Sequence, residues 1–432
     1  VSDEHNGSIL AWYEDTDNDG LYEVTIASVD EKPIKVTNGK YLFAYIGYNS
    51  NCDDEVCING LENLDTSQNI SLQNTFDNCG YTAMKKLIIP ENFDVSNVKS
   101  MHMTFEYCGY KKMEQLEFPE NFNTSKVTTM YATFINCGFT AMTSLKLPES
   151  FNTSNVENMK QMFEGCGYKS MIEFELPEKF DTSKVENMER MFRNFGNTAM
   201  TKLSLSEKFD TSKVTSMREM FSNCGSEKMT SLILPENFNT SNVTNMSYMF
   251  SNCGSEKMTS LILPENFNTS NVTNMSYMFS NCGGQNMTEL NLPNTFDTSK
   301  VTNMSGMFFF ETKLTKLILP ESFDTSNVTD MGRMFWGCSN IIELDLTKFN
   351  TSKVTNMPNM FVMSKIEKIY VSEYNENTDK GWTTKNVTDS AGMFSNCSKL
   401  VGGNGTKYNA NYTDATYAVI DTDSTPGYLT KR

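Results

Sequence analysis

"NTSNVTNMSYMFSNCG" fills residues 239–254 and returns, letter for letter, at 268–283. Working outward from it, the aromatic or Leu before each "xTS" falls at Leu64, Phe93, Phe122, Phe151, Phe180, Phe209, Phe238, Phe267, Phe296, Phe323, Phe349 and Trp382. Eight intervals are 29 residues long, followed by 27, 26 and 33. The Phe of "MF" or its equivalent keeps step 12 residues later, from Phe76 to Phe394. A unit of this length cannot bury its own apolar face, so a period sustained this far predicts coils stacked into a solenoid.

Within one unit, "SLILP" (231–235) turns Leu232 and Leu234 inward and Ser231 and Ile233 outward, the alternation of a strand that Pro235 ends. "ENFNTSN" is turn chemistry, in which stacked Thr and Ser satisfy backbone groups left open by neighbouring coils. Val243, Met246, Met249, Phe250 and Cys253 then recur at helical spacing, which predicts a short helix ended by Gly254. Eleven or twelve such coils, at about 4.8 Å each, make a rod of about 55 Å with one parallel sheet.

"FNTSNVTNMSYMFSNC" with its "LxLP" strand resembles the BspA-like leucine-rich-repeat surface proteins of bacteria, in the branch whose repeat reads "FDTSxVTxMxxMFxxC". The resemblance spans about residues 40–400, and "AWYEDTDNDGLYEVTI" (11–26) is similar to the segment that commonly precedes such arrays. It implies an α/β solenoid, a leucine-rich-repeat-like array with one parallel β-sheet and short helices on the opposite face. It also implies an extracellular place on a bacterial cell surface and a role in attachment or protein binding, without catalysis. Two features depart from the family: the unit is several residues longer than the compact repeat, and no wall-sorting tail is seen.

The expected division is an N-terminal β-hairpin cap and half repeat at 1–60, the solenoid at 61–401, and a C-terminal cap or tail at 402–432. Phe43 in "YLFAYI" already stands where an "MF" Phe belongs. A formal charge of −17 argues against nucleic acid and anionic lipid as partners, since both are held by clustered Lys and Arg. No run of about 18 apolar residues is present to span a bilayer. An export leader is expected to precede Val1 or to have been removed.

Nine of the eleven cysteines fall three residues after the "MF" Phe, one per coil, and read as small buried apolar groups rather than a converging metal set. Phe195, Glu311 and Ser364 take that slot elsewhere. Cys52 and Cys57 lie off the line, and a local disulfide or two free thiols both fit them. In "DTDNDG" the carboxylates Asp15, Asp17 and Asp19, with Glu23, suggest a calcium loop, but position twelve is Ile26 rather than Glu. A polar hairpin turn is the plainer reading, with no other cofactor expected. His5 and His102 have no recurring partner, so no nucleophile and base set emerges and no enzyme is expected. "GGNGTK" (402–407) lacks the spacing of a phosphate loop and reads as a turn. The many Asn-x-Ser/Thr triplets report turn hydrogen bonds.

The outward strand position varies: Ile88, Glu117, Lys146, Glu175, Ser204, Ile233, Ile262, Asn291, Ile318, Asp345 and Tyr370. Alternating Glu117, Lys146 and Glu175 predict ion pairs between neighbours. Ile88, Ile233, Ile262, Asn291, Ile318 and Tyr370 are the candidate partner-binding column, because apolar groups there can merge into a patch or can simply suit a strand. The function expected is a non-catalytic surface scaffold for a host or neighbouring-cell protein. The alternative is a passive stalk or antigenic spacer, which the identical coils 226–254 and 255–283 suit equally.

Overall fold

Alternating side chains and a repeated register dictate parallel pairing between successive coils, and the computed structural model, which describes residues 9–15, 22–49 and 58–432, is a parallel β-solenoid. His5, Asp17, Asp19, Cys52 and Cys57 lie outside the described residues. β1 (Ile9–Glu14) and β2 (Glu23–Ser28) form the expected antiparallel hairpin, with most of its side chains exposed. β3 (Ile34–Lys35) pairs in parallel with β4 (Leu64–Asp65) and opens the array. The coil strands follow as β5 (Lys86–Ile88), β6 (Gln115–Glu117), β7 (Glu173–Glu175), β8 (Lys202–Ser204), β9 (Ser231–Ile233) and β10 (Ser260–Ile262). β11 (Glu289–Asn291), β12 (Lys316–Ile318), β13 (Glu343–Asp345), β14 (Lys368–Val371) and β15 (Leu429–Lys431) complete them. Pairing is residue for residue, as in Leu232 beside Leu261 and Ile233 beside Ile262. Across the coil, single-residue parallel bridges run unbroken from Ser71 through Asn245 and Asn274 to Asp389.

The short helices are not there: among the described residues, helix is confined to 3-10 turns at Leu61–Asn63 and Ala415–Tyr417. In the predicted helix the N–H groups of Met246, Tyr248, Phe250 and Asn252 donate to carbonyls of Asn274, Ser276, Met278 and Ser280 in the next coil, at 2.8–3.0 Å. The N–H groups of Met249 and Cys253 close tight turns onto the Met246 and Phe250 carbonyls. Tyr248 (φ 58°) and Asn252 (φ 54°) take the left-handed conformation that the third position of such turns requires. Two consecutive turns place apolar side chains inward at nearly the spacing of one helix face, so periodicity alone does not separate them. The distinguishing signal is the residue before the Cys slot: Asn at 78, 136, 194, 223, 252, 281 and 396 and Gly at 165 and 337, against Tyr107, Phe310 and Met363 in the other three coils. Asn and Gly are the residue types that tolerate positive φ, and every one of these has it.

The core between strand and turns is a set of ladders. Rings from Phe43 through Phe76, Phe250 and Phe279 to Phe394 stack coil on coil, with centroids 5.3–6.1 Å apart. Tyr428 meets Phe394 edge-on at 5.2 Å and closes the C-terminal end. The Cys column is buried, and none of its nine thiols is in a disulfide among the described residues. Buried Thr240 donates its hydroxyl to the Asn268 carbonyl at 2.6 Å, and Thr124, Thr153, Thr182, Thr211 and Thr269 repeat the bond. These six buried hydroxyls therefore keep a partner, which avoids the penalty of about 1–3 kcal/mol for leaving a polar group unsatisfied, whereas Thr66, in the same slot of the first full coil, has none.

Candidate interaction surfaces

The strand face carries the predicted column. Ile233 and Ile262, 59% and 50% exposed, lie side by side in register. Asn291 is exposed and pairs with Ile318, which is half-buried. Ile88 is exposed but sits far along the array, beside Glu117. Tyr370 lies between β13 and β15, with the Arg432 guanidinium 4.8 Å from its ring, so the C-terminal strand engages it. The structure thus brings together two of the six candidates as an exposed apolar pair. The expected charge ladder is also rearranged, since Glu117 pairs with Lys86 at 2.9 Å rather than with Lys146. Residues 144–146 form no strand, which removes the register that would set Lys146 opposite Glu117.

The other face is built by the paired turns, and sequence reasoning missed it because it read these residues as the solvent side of a helix. Its N-terminal part is aromatic: Tyr48, Tyr81, Tyr110, Phe139 and Tyr168 follow the Cys slot in successive coils and stack at 4.5–4.9 Å. Beside them sit Asp77 and Glu106, one coil apart. Burial pushes the Glu106 carboxyl up to about 7, helped by the Asp77 charge, and burial raises Asp77 too. Asn74 and Asn78 donate to the Asp77 carboxylate, and neither acid has an ion pair among the described residues. His102 meets Tyr131 edge-on at 4.8 Å, and burial lowers its pKa.

The middle of this face is an ion network. Arg193 bridges Glu164 (2.9 Å) and Glu219 (3.0 Å), Arg190 meets Glu219 (3.1 Å), and Arg218 meets Glu219 (2.7 Å) and Glu189 (3.5 Å). Toward the C-terminus, aromatic rings return: Tyr248 and Tyr277 stack at 4.9 Å, and Phe309 packs on Phe310 (4.6 Å) and Trp336 (5.6 Å). Arg333 lies 5.9 Å over the Trp336 ring, accompanied by a 3.4 Å hydrogen bond to the Tyr277 hydroxyl and by no carboxylate ion pair. Gly306 is required here, because at φ 61° an added Cβ would meet the Tyr277 ring at 2.3 Å.

Three further groups carry titratable or turn-forming side chains. Glu311, in the Cys column, is fully buried; one carboxyl oxygen accepts from the Cys282 N–H at 2.7 Å and the other has no partner, so burial drives its pKa well up. The "GGNGTK" segment is a turn wrapped on an internal anion. Asp421 accepts from the N–H groups of Asn404 (2.8 Å), Thr406 (3.0 Å) and Gly427 (3.2 Å) and from the Thr406 hydroxyl (2.6 Å). Of the acidic hairpin set, Glu23 lies at the start of β2 opposite Glu14, and Asp15 just follows β1. Among the described residues, no helix is long and apolar enough to cross a membrane.

The family model described as "Mycoplasma protein of unknown function, DUF285" matches five overlapping stretches, 48–168, 111–224, 193–291, 225–318 and 283–408. No curated protein and no solved structure matches the chain. The matched stretches run from the first half coil to the last coil and share its repeat, so the chain belongs to the DUF285 family.

Proposed function

We propose that the chain is a non-catalytic scaffold of the BspA-like kind, displayed on the outer surface of a bacterial cell, whose strand face binds a protein of a host or neighbouring cell. The observation that carries this reading is the Ile233 and Ile262 pair: two β-branched side chains held in register, half exposed or more, on a rigid wall. A single exposed Ile is ordinary, whereas adjacent ones on a repeated scaffold offer a dry anchor at small conformational cost. Folding does not require them to be apolar, since exposed equivalents in other coils include Glu117, Glu175, Asn291 and Asp345 as well as Ile88.

The test is affinity isolation of host extracellular proteins on the folded array, followed by binding measurements with each identified partner. Ile233→Lys with Ile262→Lys is expected to weaken binding by about 10-fold or more, as loss of central anchors does. Unchanged binding, or no partner retained above background, would favour a spacer. The letter-for-letter repetition of coils 226–254 and 255–283 supports that second reading, because array length can change with little penalty when stability is nearest-neighbour.

A further inference from the structure

The turn face has a pattern that the strand face lacks: its acid pair and its carboxylate-free arginine lie in coils placed symmetrically about its middle. Arg190 and Glu219 occupy the same turn position in adjacent coils at the centre of the ion network. Counting from the gap between those coils, Asp77 lies in the fifth coil toward the N-terminus and Arg333 in the fifth toward the C-terminus. A two-fold axis through the gap, perpendicular to the array, therefore sets the coil of Asp77 against the coil of Arg333. The same axis sets Glu106 and Tyr107 against Phe309 and Phe310, and the coil of Ile135 against the coil of Tyr277.

The outer juxtaposition supplies what the single chain leaves out, and the central one repeats between copies the pairing already made within each. Asp77 and Glu106 hold the same turn position in adjacent coils, Asp77 with Asn74 and Asn78 on its carboxylate, and among the described residues neither has a cation, an arrangement that an incoming guanidinium relieves. Arg333 is held by rings and a phenol rather than by a carboxylate. At the centre, Arg190 and Arg193 fall opposite Glu219 of the second copy, so the network is self-complementary. The facing strip is ten coils long, about 48 Å at ~4.8 Å per coil. Two consecutive turns, each under about 7 Å across, make it about 14 Å wide. That gives a footprint of roughly 600 Å² per copy, near the ~800 Å² per partner of an ordinary stable interface.

We propose that the turn face is an isologous homodimer surface on which two copies of this chain lie antiparallel, Arg333 of each reaching the Asp77 and Glu106 pair of the other. In a two-fold interface every complementary contact is made twice, so a charge reversal is felt twice and a matched pair of reversals in one chain restores both sites. The partner-binding strand face stays free, and the proposal does not depend on it.

The experiment is sedimentation equilibrium of the full chain from about 1 to about 100 µM at moderate salt, the range in which a micromolar dimer dissociates. A monomer–dimer equilibrium is expected. Arg333→Glu and Glu106→Lys should each weaken it about 30-fold, and the two combined should recover to within about 3-fold of the parent. Phe310→Asn, at an exposed position whose φ of 60° suits Asn, should also weaken it and does not depend on charge. Ile233→Lys with Ile262→Lys should leave the dimer unchanged, which separates this proposal from the strand-face reading. A monomer at every concentration, a dimer indifferent to both single reversals in chains with the parent's melting behaviour, or a combined variant no better than the singles would overturn it.

Discussion

On the strand face, neighbouring coils meet in register through short parallel ladders, and the outward side chains are nearly independent of the fold. On the turn face, the same coils meet through alternate N–H groups, and every second one of those donor residues is forced into the left-handed region. Side-chain choice is therefore almost free on the first face and conformationally restricted on the second. Yet it is the restricted face that holds the stacked tyrosines, the ion network and Arg333. A non-glycine residue at positive φ costs about 1–2 kcal/mol, and the array accepts that cost in nearly every coil because each turn returns buried side chains and cross-coil hydrogen bonds.

The contrast breaks most sharply at Gly254. It combines a φ of 53° with a backbone placed so that an added Cβ would stand 2.5 Å from the Met258 Cβ in the core. Gly254→Ala is expected to cost about 2–4 kcal/mol, the left-handed penalty plus overpacking. Ile262→Thr, on the strand face of the next coil, should stay within about 0.5 kcal/mol. Urea midpoints of the two variants measure the difference, and equal shifts would show that the faces are not distinct in this sense.

A smaller effect sharpens the same point at Asn252. If its role is to accept φ 54°, Asn252→Ala should destabilise by about 1 kcal/mol, while Asn252→Gly should remain within about 0.5 kcal/mol of the parent. Asn281 donates a 2.8 Å side-chain hydrogen bond to Asn252, so the two variants lose that contact equally. Their difference then isolates backbone conformation. Equal loss in both would assign Asn252 to the side-chain ladder instead.

How much of this was legible follows from the same contrast. Strand alternation at Leu232, Ile233 and Leu234 fixes both the ladder and the inward face, because period two has one structural meaning here. The stacking of Phe250 on Phe279 and the burial of Cys253 follow from register alone. The turn segment was misread because Met246, Met249, Phe250 and Cys253 satisfy a helical template as well as two tight turns do. What resolves it is the recurrent Asn or Gly before the Cys slot, a signal about φ rather than about hydrophobicity. Once the helix is assumed, Tyr81, Tyr110 and Arg333 look like scattered solvent residues. Only the coil-on-coil geometry brings them together, and Tyr370 shows the converse, a column member that the C-terminal strand takes over.

The least perturbing comparison uses pH, at Glu106 on the turn face. Its folded pKa lies at about 7, above the ordinary value of 4.5, because burial and the neighbouring Asp77 disfavour the charged form. With the folded pKa raised, the native state holds the proton more tightly than the unfolded chain. The stability share of Glu106 is therefore complete below about pH 4.5 and falls away as pH rises to about 7. Below the concentrations at which turn faces pair, Glu106→Gln, which keeps shape and removes the charge, should gain little over the parent at the acid end of that window and more at its neutral end. Taking the variant-minus-parent urea midpoint across this range cancels other titrating groups, including buried Glu311, whose pKa is also raised. A difference that is flat with pH would mean that Glu106 reaches water or a cation, and that the turn face does not hold an uncompensated acid pair.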